Sequence, residues 1–278
     1  DGTAAGSPDV LTFRRYRRFA AGGSGLLWVE ACAVVPEGRA NPRQLMLTKQ
    51  NRDEFARLLD EARKAAAESM GADHRPFMVL QLTNSGRYSR PSDAPKPIIA
   101  FHDPILDKDK GLPPDYPIVT DDELERLEDA YVESARLAFE LGFDAVDIKA
   151  CHRYLVNELL AAHTREGKYG GSYENRTRFL KNVVGKVMAI AGDKIVTCFS
   201  SAMSRYLAVA VPSSASKPVN VSLRQLNVCV ASPVSSSTSK MKFSTRRRRR
   251  LAPALMPRRN ERMSSALRVS ASRCTMSA

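Results

Sequence analysis

Four short apolar runs, separated by stretches of helical period, restrict this chain to parallel strands with helices on the outside. The runs are GLLWVEA at 25–31, PFMVLQL at 76–82, AVDI at 145–148 and KIVTC at 194–198. Each has the length of one strand, and the near-continuous apolar character of strands buried on both faces. After the first run, Phe55, Leu58, Leu59 and Ala62 recur at helical spacing behind Asn51 and Glu54, which stand at the spacing of a capping box. After the second, Leu124, Leu127, Tyr131, Ala135 and Ala138 line one face of a helix opened by a Thr120/Glu123 capping box and ended by Gly142. The third run is followed by a short helical piece at 155–161, then by a helix capped by Ser172 whose apolar side carries Phe179, Val183 and Val187 to about residue 190. Strands alternating with helices at this spacing define an α/β fold with crossover connections. A doubly wound sheet and a (β/α)8 TIM barrel both satisfy the pattern. No GxGxxG turn follows any strand, since Gly22, Gly23 and Gly25 precede theirs, and this favours the barrel.

The connection at 83–118, rich in Pro and Asp, is far too long for a plain link and is expected to shape a pocket. No run of eighteen apolar residues is present, so no membrane partner is expected. The N-terminal stretch lacks the apolar core of a signal peptide. Five cysteines (Cys32, Cys151, Cys198, Cys229 and Cys274) show no metal-ligand spacing and read as free thiols of a cytoplasmic protein.

Charge divides the chain in two. The net charge of +13 conceals 28 basic and 29 acidic residues in 1–198, against 15 basic residues and the single acid Glu261 in 199–278. The latter segment has no Gly and no Asp, while 18 of its 80 residues are Ser. Folded α/β segments use Gly and Asp for turns and caps. No strand or helix period persists there beyond short runs such as 206–211. Residues 1–198 are therefore expected to form the domain, a partial barrel, and 199–278 an irregular Ser/Arg-rich tail. Three readings of the tail stand: an aberrant translation product such as a shifted frame, a disordered basic extension, or a nucleic-acid arm centred on the arginine run 246–250. No aromatic interleaving accompanies the arginines, which argues against nucleic acid as a partner.

In a barrel the C-terminal strand ends converge on one mouth, where chemistry is found. Three such ends carry polar groups: Glu30 to Arg39, Gln81 to Arg87, and Lys149 to Tyr154. Gln81 offers donor and acceptor for the amide edge of a heterocycle, or serves as a buried hydrogen-bond partner. Lys149 and His152, three residues apart, fall on one side of a turn and can together bind an oxygen that gains negative charge. Tyr154, ordinarily titrating at about 10, is an acid rather than a base at neutral pH. The plainer alternatives are a surface or phosphate-binding charge for Lys149, a structural hydrogen bonder for His152 and a core aromatic for Tyr154. Cys151 reads as packing. His74, His102 and His163 form no metal set, so no metal site is expected.

Three stretches carry a resemblance: GGSGLLWVEACAVVPEGR at 22–39, QLTNSGR at 81–87 and DAVDIKACHRYLVNELLAAHTREGKYGGSYENRTRF at 144–179. Over about residues 10–198 the chain resembles the old yellow enzyme family of FMN-dependent oxidoreductases, in its bacterial NADH:flavin oxidoreductase and dienoyl-CoA-reductase-like branch. The resemblance implies a (β/α)8 barrel with FMN at its mouth and NADH or NADPH as reductant. It further implies a small-molecule substrate, an activated alkene or carbonyl compound, that receives hydride from the flavin. The family pair that grips the substrate carbonyl falls on Lys149 and His152, and the proton-donating tyrosine on Tyr154. Ala31 matches the residue beside the reactive flavin edge, and Gln81 the glutamine bonding its pyrimidine side. Three positions depart from the family pattern: lysine replaces histidine at 149, Asn84 stands where histidine is usual, and Arg153 replaces a glycine. The resemblance also places the family's first strand before residue 1, and a flavin-binding arginine and Gly-rich phosphate loops after residue 198, where the tail shows neither. The chain taken alone is thus expected to form an incomplete barrel that aggregates and holds FMN weakly or not at all. Its oligomeric state is left open by the sequence.

Overall fold

The structure is a computed structural model that describes residues 2–200 and the strands Leu207–Ala210 and Val228–Ala231. These residues belong to one compact unit, Asp1–Ser235. Apart from 199–200 and those two strands, the basic tail, with the arginine run 246–250, lies outside the described residues.

The four expected strands form as β1 (Leu26–Ala33), β2 (Phe77–Thr83), β3 (Ala145–Ala150) and β4 (Ile195–Ser200). They pair in sequence order and all parallel, as successive barrel strands do. Strand β5 (Leu207–Ala210), inside the apolar run at 206–211, then pairs antiparallel to β4, and β6 (Val228–Ala231) pairs parallel to β5. The described residues form a six-stranded sheet with one reversal, not a closed eight-stranded barrel, and an incomplete barrel was the expectation.

Alternation along the strands sorts side chains onto two faces. Leu27 and Val29 of β1, Met78, Leu80 and Leu82 of β2, and Val146 and Ile148 of β3 enter the apolar core shared with the helices. On β2, β3 and β4 the other face presents Gln81, Thr83, Asp147, Lys149 and Thr197, a polar ladder on an otherwise apolar scaffold. The covering helices are α1 (Val10–Ala21), α2 (Arg52–Met70), α4 (Asp121–Glu140), α5 (Leu155–Ala161) and α6 (Tyr173–Ala191). A further helix, α3 (Pro104–Lys110), lies inside the long 83–118 connection.

Helix α1 has no counterpart in the sequence reading. Its buried side, Phe13, Tyr16 and Ala20, is masked by the arginines between those positions. Asp9 caps it, accepting from Leu11 N at 2.9 Å and Thr12 N at 3.1 Å. The expected Asn51 capping box does not form. Asn51 turns back instead, accepting from Thr48 N at 2.8 Å and donating to Met46 O at 2.8 Å, so it pins the preceding loop. The Thr120/Glu123 box forms as expected, and Ser172 caps α6 through Asn175 N.

Candidate active site

The mouth begins with an irregularity in β1. Pairing runs to Val29↔Leu80 and resumes at Cys32↔Leu82, so Glu30 and Ala31 together oppose Gln81. Two residues against one is a bulge, which re-aims side chains and is common beside active sites. It places the two expected cofactor residues opposite each other. The bulge is held from outside: Tyr16 Oη accepts from Glu30 N at 2.7 Å, and Gln44 Nε2 donates to Ala31 O at 2.9 Å. Gln81 Nε2 donates to Asp147 Oδ2 at 2.7 Å, and Thr197 Oγ1 donates to Asp147 Oδ1 at 2.8 Å. The carbonyl oxygen of Gln81 meets no donor among the described residues.

Two residues beyond Asp147, on the same face of β3, stands Lys149. It is only 7 % exposed, and its ammonium makes no ion pair or hydrogen bond among the described residues. Its Nζ lies 4.5 Å from the centroid of the Tyr154 ring. Burial holds the Lys149 pKa below the ordinary lysine value, with Cys151 and Asp147 partly opposing. Burial pushes Tyr154 up, the nearby Ser85 hydroxyl working against it, so the phenol keeps its proton at neutral pH.

His152 departs from expectation. Lys149 belongs to an extended strand, not to a turn shared with His152, so the spacing of three does not pair them on one side. His152 and Arg153 both adopt left-handed backbone, with φ of 61° and 56°, and both are exposed. Each costs on the order of 1 kcal/mol in that conformation. Arg153, where the resemblance has glycine, thus stands in a conformation that glycine adopts freely. The His152 ring meets Tyr154 edge-on at 6.4 Å between centroids. Lys149 and His152 thus each approach the Tyr154 ring.

Three groups at this mouth escaped the sequence reading. Asp147 was concealed inside an apolar run, although its polar character in a buried strand was the available signal. Tyr88, whose ring lies 6.0 Å from that of Tyr154 at 39°, directly follows the QLTNSGR stretch. Lys110, at the end of α3, places Nζ 4.4 Å from the Tyr88 centroid, and nothing local in the sequence marks it.

The long connection is tied down by Arg87, a fully buried guanidinium that bonds Glu158 of α5 and Asp107 of α3 and donates to Phe101 O at 2.9 Å. Glu158 also accepts from Ala100 N at 3.1 Å, and His102 Nδ1 lies 2.8 Å from Asp107 Oδ2. This connection does line a cleft, of about 500 Å3, between Asn84, Ile98, Tyr116, Val119 and Leu155. A larger one of about 880 Å3 lies between α1 and α2, and none of Ala31, Gln81, Lys149, His152 and Tyr154 lines either cleft. Among the described residues no cluster of three metal-ligating side chains occurs, and no helix is long and apolar enough to cross a membrane.

Parallel strands under helices, with polar groups gathered at their C-terminal ends, define an α/β protein of barrel kinship. Residues 4–211 match the NADH:flavin oxidoreductase / NADH oxidase family, and the chain belongs to that family. It is 31% identical over 179 residues to an NADPH dehydrogenase of Clostridium acetobutylicum, covering 63% of this chain and 48% of that protein. The chain thus spans about half the length of the curated relatives it matches. Among solved structures, a 2-naphthoyl-CoA reductase complex aligns with a TM-score of 0.58 at 20% identity, covering 71% of this chain and 31% of that one. An old yellow enzyme from Pichia sp. aligns with a TM-score of 0.53 at 23% identity, covering 76% and 53%. These likenesses show the fold.

Proposed function

We propose that the chain carries the substrate-facing half of an FMN-dependent oxidoreductase that takes reducing equivalents from NADH or NADPH and reduces an activated unsaturated compound. The observation that carries this reading is Lys149: a buried ammonium with no ion pair among the described residues, lying against the Tyr154 ring at the end of β3. Leaving a charge buried and unpaired is costly, and a site tolerates it where a ligand is to supply the partner.

The ring end of the flavin fits the residues present. Ala31 brings only a methyl group to the bulge, opposite Gln81 with its unused carbonyl oxygen. Thr83, two residues further along the same face, has a buried hydroxyl without a hydrogen-bond partner among the described residues. Ala31 and Gln81 are the residues that would hold the cofactor. Flavin mononucleotide, when bound, supplies the hydride that adds to the β-carbon of the substrate.

Lys149 binds the substrate's carbonyl oxygen and stabilises the negative charge that develops there. Tyr154 gives its phenolic proton to the α-carbon and regains one from solvent, so hydride and proton together saturate the double bond. His152 bears on the Tyr154 edge from the solvent side and orients the phenol, rather than sharing the oxygen with Lys149.

A second reading, an inactive relative, draws on one feature: β5 runs antiparallel where a barrel's next strand runs parallel. The two separate in one experiment. The chain is loaded with FMN, and oxidation of NADPH is followed without oxygen, with and without 2-cyclohexenone. Saturated ketone formed in step with NADPH consumed supports the oxidoreductase. Flavin bound with no transfer to the enone supports the inactive relative.

A further inference from the structure

The mouth holds a second ammonium that the proposed reaction does not use. Tyr88 and Tyr154 are neighbours, with centroids 6.0 Å apart and ring planes tilted by 39°. Lys149 stands 4.5 Å from the Tyr154 centroid, and Lys110 stands 4.4 Å from the Tyr88 centroid. The pair therefore carries one cation near each of its two rings. Neither is neutralised in a way that would hold it there. Lys149 has no ion pair among the described residues, and Lys110 meets only its neighbour Asp109 at 3.7 Å, a carboxylate 66% exposed. Such an exposed pair is worth little, and a carboxylate on a ligand competes with it readily. Cation–π contact positions both ammonium groups but leaves their N–H donors free for an anion.

We propose that the site selects carbonyl compounds bearing a carboxylate at the far end of a flat body, with Lys110 as the receptor for that carboxylate. This rests on the functional reading only in assigning the carbonyl end to Lys149. The flat body runs alongside the Tyr88–Tyr154 pair, between the two ammonium groups, with the ring centroids 6.0 Å apart. Lys110 reaches the mouth from α3, in the 83–118 connection, so that connection reads the distal end of the substrate while β3 reads the reacting end. Lys110 is a specificity-determining residue in this scheme and takes no part in the chemistry.

Binding, which needs no turnover, tests the scheme. The affinities of 4-acetylbenzoate and acetophenone for the full chain are compared by calorimetry at low ionic strength. The carboxylate is expected to bind at least tenfold more tightly, about 1.4 kcal/mol. Lys110→Gln is expected to remove at least fivefold of that preference, and 0.5 M salt to erode it further. Lys149→Met is expected to weaken both ligands. Equal affinity of the wild-type chain for the two ligands, or a preference that survives in Lys110→Gln, overturns the proposal. Lys110 stands at the end of α3 and its only ion pair among the described residues is the weak one to Asp109, so Lys110→Gln is expected to unfold in urea like the wild-type chain, which separates loss of preference from loss of structure. If no enone is reduced and yet the preference is present and depends on Lys110, the functional reading fails and this one stands.

Discussion

Lys149 and Tyr154 show opposite consequences of burial at one contact. Burial favours the neutral form of each: it keeps the phenol a donor, and it strains the ammonium. Tyr154→Phe removes the proton and keeps the ring. Reduction of enone is expected to slow by about 100-fold or more, while reduction of bound flavin by NADPH changes by less than about twofold. Stopped-flow measurement of each half separately checks this, and equal loss of both halves removes Tyr154 from the proton-donor role. Lys149→Met replaces a buried unpaired charge by an apolar chain of similar length. It is expected to stabilise the fold by about 1 kcal/mol in urea denaturation while weakening carbonyl ligands about tenfold. The pH dependence has a definite sign. The folded-state pKa of Lys149 lies below its unfolded value, so the unfolded chain binds the extra proton between the two. The wild-type chain therefore gains stability as pH rises through that window, and the gain is expected to be absent from Lys149→Met. Denaturation of both forms at pH 8 and pH 10 measures the difference. At this scale the sequence was informative because Lys149, His152 and Tyr154 are contiguous. What it concealed was backbone conformation: an extended Lys149 followed by left-handed His152 and Arg153 breaks the spacing argument that paired lysine with histidine.

At the scale of elements, strands were legible because apolar runs of strand length have few other uses, and all four parallel strands formed within two residues of their expected ends. Helix α1 was not legible, because its buried residues alternate with arginines and the eye reads charge before period. Asn51 was misread because a polar side chain before a helix can turn back into the loop as readily as forward to the cap. The β1 bulge gives no local sequence signal, yet it sets Ala31 against Gln81. Arg87 is the element-scale joint: one guanidinium joins the end of β2 to α3, α5 and the long connection between them. Burial alone would drive Glu158 protonated and disfavour the charge on Arg87; the partners oppose this, and Arg87 is held charged. Arg87→Met leaves Glu158 buried without its partner. A loss of about 3–5 kcal/mol is expected from urea denaturation, with early proteolysis between residues 90 and 118. A loss under about 1 kcal/mol, or cleavage spread evenly along the chain, would show that the joint is not structural.

At the scale of the molecule, the sequence contrast between 1–198 and 199–278 separates two kinds of chemistry. The first segment is near neutral and supplies Ala31, Gln81, Lys149 and Tyr154; the second carries fifteen basic residues and not one glycine. Barrel kinship was legible from strand order and the long motif around Lys149. Incompleteness was legible too, from the change of composition after residue 198, but the β4–β5 reversal was not, because it has no local signature. The composition also bears on how the cofactor is held. Phosphate groups are gripped by turns whose backbone N–H groups converge, and glycine is the residue that lets those turns form. A segment of eighty residues without glycine is poorly suited to build one, and the Gly-rich turn at 167–171 that leads into α6 follows α5 rather than coming directly after a strand. On the proposed reading the ring end of the flavin would meet Ala31 and Gln81, whereas that reading assigns no residue to the phosphate end. Riboflavin and FMN are therefore expected to bind this chain with dissociation constants within about threefold of each other, a difference below about 0.7 kcal/mol. Titration of flavin fluorescence against the chain measures both. FMN binding a hundredfold more tightly than riboflavin would require a phosphate site, and would place it where composition gives least reason to look.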